Sequence, residues 1–253
     1  MSMKTKTSTP DRYNLIDVIR AAAIISMIAY HLCYDIFIVF HADPSLEEQP
    51  LFCLWERSIS FTFIIISGIC VHFSRNVCKR GVIVLLCGFA VTAVTVLFVP
   101  TEQIWFGILN MIGCAMLITR ALQRILDRLS PAVGMAVSLS LFALTYGIPF
   151  RYLGFFSIRF AEAPAFLYSC RYLAFLGFPS EGFFSADFFP LIPWMFLFIF
   201  GYCLWRYLVL RGRDRLFYRD VPMLSFIGRH SLIIYLLHQP VLYLICALIS
   251  GRF

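Results

Sequence analysis

Apolar residues fall in long blocks at about 14–40, 51–74, 81–99, 103–120, 132–149, 186–208 and 224–250. Stretches rich in charge or proline separate them, all short but the one at 150–185. Each block approaches the roughly 20 residues that a helix needs to cross a bilayer. Lipid offers no partner for backbone polar groups, and a helix satisfies them all internally. The pattern therefore predicts an all-α, polytopic integral membrane bundle of about seven transmembrane helices. Residues 150–185 fit no span. The stretch "APAFLYSCRYLAFLGF" within them is amphipathic and short, which predicts an interfacial or re-entrant helix. Residues 1–13 are expected as a cytoplasmic tail and 14–253 as a single transmembrane domain.

Composition sharpens this picture. Charged residues make up 14% of the chain and apolar ones 60%, against about 25% charged in soluble domains. A soluble fold is excluded. The net charge of +7 does not point to nucleic acid, because Lys and Arg cluster at the ends of the apolar blocks. Lys4, Lys6 and Arg12 precede the first block; Arg75, Lys79 and Arg80 follow the second. Arg120, Arg124 and Arg128 follow the fourth, and Arg211, Arg213, Arg215 and Arg219 the sixth. The alternate connections "HADPSLEEQP" and "PTEQ" carry no Lys or Arg. The alternation predicts a multi-pass protein of the plasma membrane, with its N-terminus cytoplasmic and its C-terminus extracytoplasmic. The orientation after residue 185 would invert if 150–185 crossed the membrane. Nine cysteines lie scattered with no CxxC pair. They read as free thiols acting as small hydrophobes, and no metal site is expected.

The polar residues inside the apolar blocks carry the candidate chemistry. Asp17, Arg20, Met27, His31 and Asp35 lie along one stripe of the first helix. His31 and Asp35 are one turn apart, and Arg20 lies about 16 Å from His31 toward the cytoplasm. Such a stripe belongs against the bundle interior or a wet cavity. Two readings fit: a network joining helices, or a base with its orienting carboxylate. His41 sits just past this helix, as a loop residue or one that reaches back over the site. Glu56 and Arg57 near the outer end of the second block read as interfacial anchors or ion-pair partners, and His72 and His230 as interfacial residues. Asn110 is buried in the fourth block as helix–helix glue or as a donor. Ser185 or Asp187 can cap the sixth helix, with Pro190 in its first turn. His238 and Gln239 lie mid-span, and Pro240 frees the carbonyl of Leu236.

Five segments follow one another as "LIDVIRAAAIISMIAYHLCYD", "FTFIIISGICVHFSRN", "FGILNMIGCAMLI", "DFFPLIPWMFLFIFGY" and "FIGRHSLIIYLLHQPV". In this order the chain resembles bacterial members of the heparan-α-glucosaminide N-acetyltransferase catalytic-domain family, within the wider group of transmembrane acyltransferases. The likeness spans about residues 12–250, and "PLIPW" and "LLHQP" are its most specific parts. The resemblance implies transfer of an acetyl group from cytoplasmic acetyl-CoA, as co-substrate, to a sugar amine or hydroxyl on the far side. The expected partners are the lipid bilayer, acetyl-CoA and a cell-surface glycan or glycolipid, with no nucleic acid. A homo-oligomer is compatible with the sequence. By motif, Asp17 and Arg20 match the family's Asp and Arg, His31 its mid-helix polar position, His238 the "HQP" histidine, and Asp187 the acid before "PLIPW". Ala21 stands where the family usually has Gly, and Asn110 where it often has His.

Acyl transfer needs a base for the acceptor and donors for the tetrahedral oxyanion. His31 oriented by Asp35 fits the base, with His41 the other candidate. A covalent acetyl-histidine is a further route. Asn110 or His238 fits the oxyanion donor, and Arg20 and Asp187 are placed at the co-substrate. A competing class, a transporter or non-catalytic binder, would use the same polar stripe as a permeation path.

Overall fold

The computed structural model describes residues 12–40, 44–46 and 49–250. Eight α-helices occur among them: α1 (Asn14–Tyr34), α2 (Pro50–Cys70), α3 (Val77–Phe98), α4 (Ile108–Arg128), α5 (Pro131–Thr145), α6 (Leu191–Leu210), α7 (Pro222–Arg229) and α8 (Ser231–Ser250). All but α7, continued by short helical turns where needed, are long and apolar enough to cross a membrane, giving seven candidate spans. The all-α polytopic class expected from the hydropathy pattern is the one observed.

Helix ends follow local chemistry. Asn76 opens α3 by accepting the backbone N–H of Lys79 at 2.9 Å. Pro131 and Pro222 occupy the first turns of α5 and α7, where their missing N–H groups would have had no partner. The last apolar block, expected as one helix over 224–250, is two. The chain turns at His230, whose backbone N–H bonds back to the carbonyl of Ile227 at 3.0 Å. The fourth block also shifts. Residues 103–107 form a loop, and α4 runs on to Arg128 along an amphipathic stretch.

Residues 150–185 depart most from expectation. In place of one interfacial helix they form an antiparallel hairpin, β1 (Tyr152–Phe155) and β2 (Ile158–Glu162), then two 3-10 helices, Ala165–Ser169 and Arg171–Leu176. Extended backbone at Cys170 separates the two turns, and Pro164 precedes the first. A bulge between Leu153 and Gly154 bends the hairpin. Gly154 has φ +149°, and a side chain there would strike the Ile158 carbonyl.

The described residues group into two compact units. The first holds residues up to Ile59 and those from Leu208 onward. Here α1 packs on α7 and α8. Buried Phe40, Cys246 and Ala247 form an apolar cluster with Leu32, Ile36 and Val39 around it. Tyr30 stacks on Phe52 at 4.4 Å, and the Trp55 indole donates to Ser26 Oγ at 2.8 Å. The second unit runs from Ser60 to Tyr207. In it α3 and α4 lie close enough that a side chain on Gly88 would overlap Asn110, the small-residue contact that membrane helices use. Phe61, Phe142, Tyr146, Phe155 and Trp194 cluster around α5 and β1, mostly edge to face, with the Phe142–Trp194 pair tilted.

Candidate active site

Within the first unit the helix register of α1 and α8 brings two imidazoles together. The rings of His31 and His238 lie 4.9 Å apart, centroid to centroid, and are tilted by 55°. His238 Nδ1 lies 2.6 Å from the carbonyl of Tyr235, one turn back on α8. A carbonyl only accepts, so Nδ1 carries the proton and donates it. In the neutral ring Nε2 is then the bare, basic nitrogen. That Nε2 is buried and has no hydrogen-bond partner among the described residues. Its surroundings fix the tautomer and leave the lone pair available for chemistry.

Asp35 opens a π-helical turn, Asp35–Val39, that continues α1, and it is 0% exposed. Turns of this kind often mark functional positions, because the extra residue re-aims a side chain. The sequence spacing suggested that Asp35 orients His31. The structure gives its Oδ1 to Gln239, whose Nε2 donates to it at 2.8 Å. The ring facing His31 is that of His238. Gln239 therefore joins the constellation. Its signal in the sequence was its place beside Pro240 in an apolar span, but nothing in the sequence shows the partner 204 positions away.

Arg20 lies nearer the start of α1. Its Nη1 donates to Asp17 Oδ1 at 3.1 Å and to the Gly228 carbonyl at 3.2 Å. Arg12 reaches the other oxygen of Asp17 at 2.8 Å. The Arg20 head is thus engaged in fastening α1 to α7, where Gly228 comes so close that a Cβ would overlap the Asp17 carbonyl.

Two expected residues belong to the second unit, at the start of α4. Asp187, read from the sequence as a cap of α6, reaches the start of α4. Its Oδ2 accepts the backbone N–H of Ile108 at 3.4 Å, in the first turn of α4. Ser185 Oγ accepts the backbone N–H of Trp105 and donates to its carbonyl, both at 2.9 Å. The backbone of Ala186 and Phe189 pairs with Gln103 and Phe106, so this segment is laid along the chain that leads into α4. Asn110, two residues into the helix, is 2% exposed, and its Nδ2 has no hydrogen-bond partner among the described residues. His41 lies outside the described residues.

The family model described as heparan-alpha-glucosaminide N-acetyltransferase, catalytic, matches residues 12–240. The chain belongs to that family. No curated protein and no solved structure matches it. Membership in the heparan-alpha-glucosaminide N-acetyltransferase catalytic family implies a membrane acetyltransferase, which agrees with the apolar helices. The match begins at Arg12 and ends at Pro240. It therefore includes both imidazoles, Asp35 and Gln239.

Proposed function

We propose that the protein moves an acetyl group from cytoplasmic acetyl-CoA to an amine or hydroxyl of a cell-surface glycan or glycolipid. Residues 1–13 are then a cytoplasmic tail, and 14–253 act as one transmembrane acyltransferase-like domain. The charge alternation between the apolar blocks supports a plasma-membrane orientation with the N-terminus inside and the C-terminus outside.

The observation that carries this reading is the pair of imidazoles on α1 and α8, one with a fixed tautomer and a bare buried nitrogen. His238 Nε2 takes the proton from the acceptor N–H or O–H as that atom attacks the thioester carbonyl. The tetrahedral adduct collapses, the C–S bond breaks, and CoA leaves as thiolate. His31, beside His238, relays the proton to the departing sulfur. Atoms and charge balance, and no further reactant is required. The hydrogen bond from Gln239 to Asp35 ties α8 to α1 beside this pair.

The test is thioester consumption by the purified protein in nanodiscs, supplied with acetyl-CoA and a panel of amino sugars and glycolipids. Replacing His238 or His31 by Ala should lower acetyl transfer by about 10²–10⁴-fold, the usual worth of a positioned acid–base group. Transfer that survives both substitutions would overturn the assignment. Solute flux with no thioester consumption would favour a transporter.

A further inference from the structure

A cavity of about 480 Å³ opens in the second unit. Ser74, Arg75 and Asn76 line it from the turn between α2 and α3, Arg120 and Gln123 from α4, and Tyr202 from α6. Its wall includes two arginines and, among the described residues, no carboxylate. Arg120 is steadied by donating to Gln123 Oε1 at 2.5 Å. Asp127, the acid of the neighbouring turn, is taken up by the Tyr202 hydroxyl at 2.6 Å and by Arg206 at 3.7 Å. Val77 and Cys78, the first residues of α3, also face the cavity. Asn76 takes the N–H of Lys79; those of Val77 and Cys78, in the first turn, have no intrahelical acceptor.

We propose that this cavity binds a phosphate-bearing ligand through Arg75 and Arg120. Guanidinium forks match phosphate oxygens in pairs, and a helix start adds favourable dipole and donors. Arginines that serve only to set topology need no cavity between them. The volume falls in the range of small-molecule pockets and exceeds the needs of a lone ion. Two sources supply this chemistry: the pyrophosphate of a soluble nucleotide co-substrate, and the headgroup of an anionic lipid. The first source rests on the acetyl-transfer reading above and the second does not; either binding can be read without turnover.

The experiment uses the full chain in phosphatidylcholine nanodiscs, titrated calorimetrically with inorganic pyrophosphate. In parallel, native mass spectrometry scores retention of phosphatidylglycerol by the purified protein. The chains compared are wild type, Arg75→Gln, Arg120→Gln and Arg213→Gln, the last removing an exposed cation from another loop. Arg75→Lys and Arg120→Lys keep the charge and serve as folding controls. Pyrophosphate binding that weakens at least about tenfold in both pocket Gln variants, but not in Arg213→Gln, assigns the site to a soluble phosphate. Phosphatidylglycerol retained by wild type and Arg213→Gln but lost from both pocket variants assigns it to lipid. The proposal is overturned if wild type and pocket variants behave alike toward both probes.

Discussion

At the scale of single residues, burial decides what each polar group must do. Asp35 is fully buried and takes the Gln239 amide as a donor. Gln239→Leu removes that donor from a buried carboxylate, which costs about 1–3 kcal/mol. The expected outcome is a lower thermal midpoint in detergent, with partial recovery in Gln239→Asn if the shorter amide still reaches. An unchanged midpoint would show that the bond adds nothing to stability. A second residue case lies outside the spans. The Tyr168 hydroxyl donates to the Ile148 carbonyl at 2.6 Å, and Arg151 sits 5.2 Å from its ring. Burial raises the phenol above its ordinary value, with Arg151 pulling the other way. A raised folded value means that the neutral phenol adds stability in full below about pH 10 and loses it as pH climbs through that raised value. Tyr168→Phe should therefore melt earlier near pH 8, by about 1 kcal/mol, and the gap should close in strong alkali. A gap that widens with pH would contradict the sign.

At the scale of elements, the helices were legible where hydropathy alone determines them and misread where a contact with another segment decides. The first three spans and the fifth agree with their apolar blocks to within a few residues. The seventh block reads as one helix because its apolar run barely pauses, yet it breaks at His230. There α7 is held to α1 by Arg20 and by the close seat of Gly228 on the Asp17 backbone. Gly228→Val puts a branched side chain where the α1 carbonyl already stands. The expected cost is about 1–3 kcal/mol, from overpacking between two backbones, measured as a drop in thermal midpoint and in yield of monodisperse protein. The same logic explains Asp187. A carboxylate just before an apolar run reads as its cap, but the chain between 185 and 189 lies along 103–106 and delivers Asp187 to α4. Local spacing holds no record of that path.

For the molecule as a whole, the distribution of charge sets a testable topology. Cys78 follows the second span and Cys170 lies in the hairpin-and-turn segment, and both are exposed free thiols. With the N-terminus inside, Cys170 faces outward and Cys78 inward. Single-cysteine variants treated on intact cells with a membrane-impermeant maleimide should label Cys170 and spare Cys78 until the cells are opened. The reverse pattern would invert the orientation, and labelling of both would break the span count between them. Large apolar side chains such as Leu86, Leu97 and Phe98 remain exposed along α3. In a spanning helix that exposure is to lipid, where it costs nothing.

The sequence by itself determined the class of the protein and its count of spans, because lipid makes hydropathy and helix length nearly sufficient. It also marked His31, Asp35, Asn110 and His238 as polar groups that an apolar span would not keep without a reason. The family was legible too, in the order of its motifs. Partnership was left to the tertiary structure. That Gln239 meets Asp35, that Asp187 meets the start of α4, and that two arginines line one cavity all depend on helix rotation, on a π-turn and on how distant segments pack. Such contacts join residues far apart in the chain, and no local pattern encodes them.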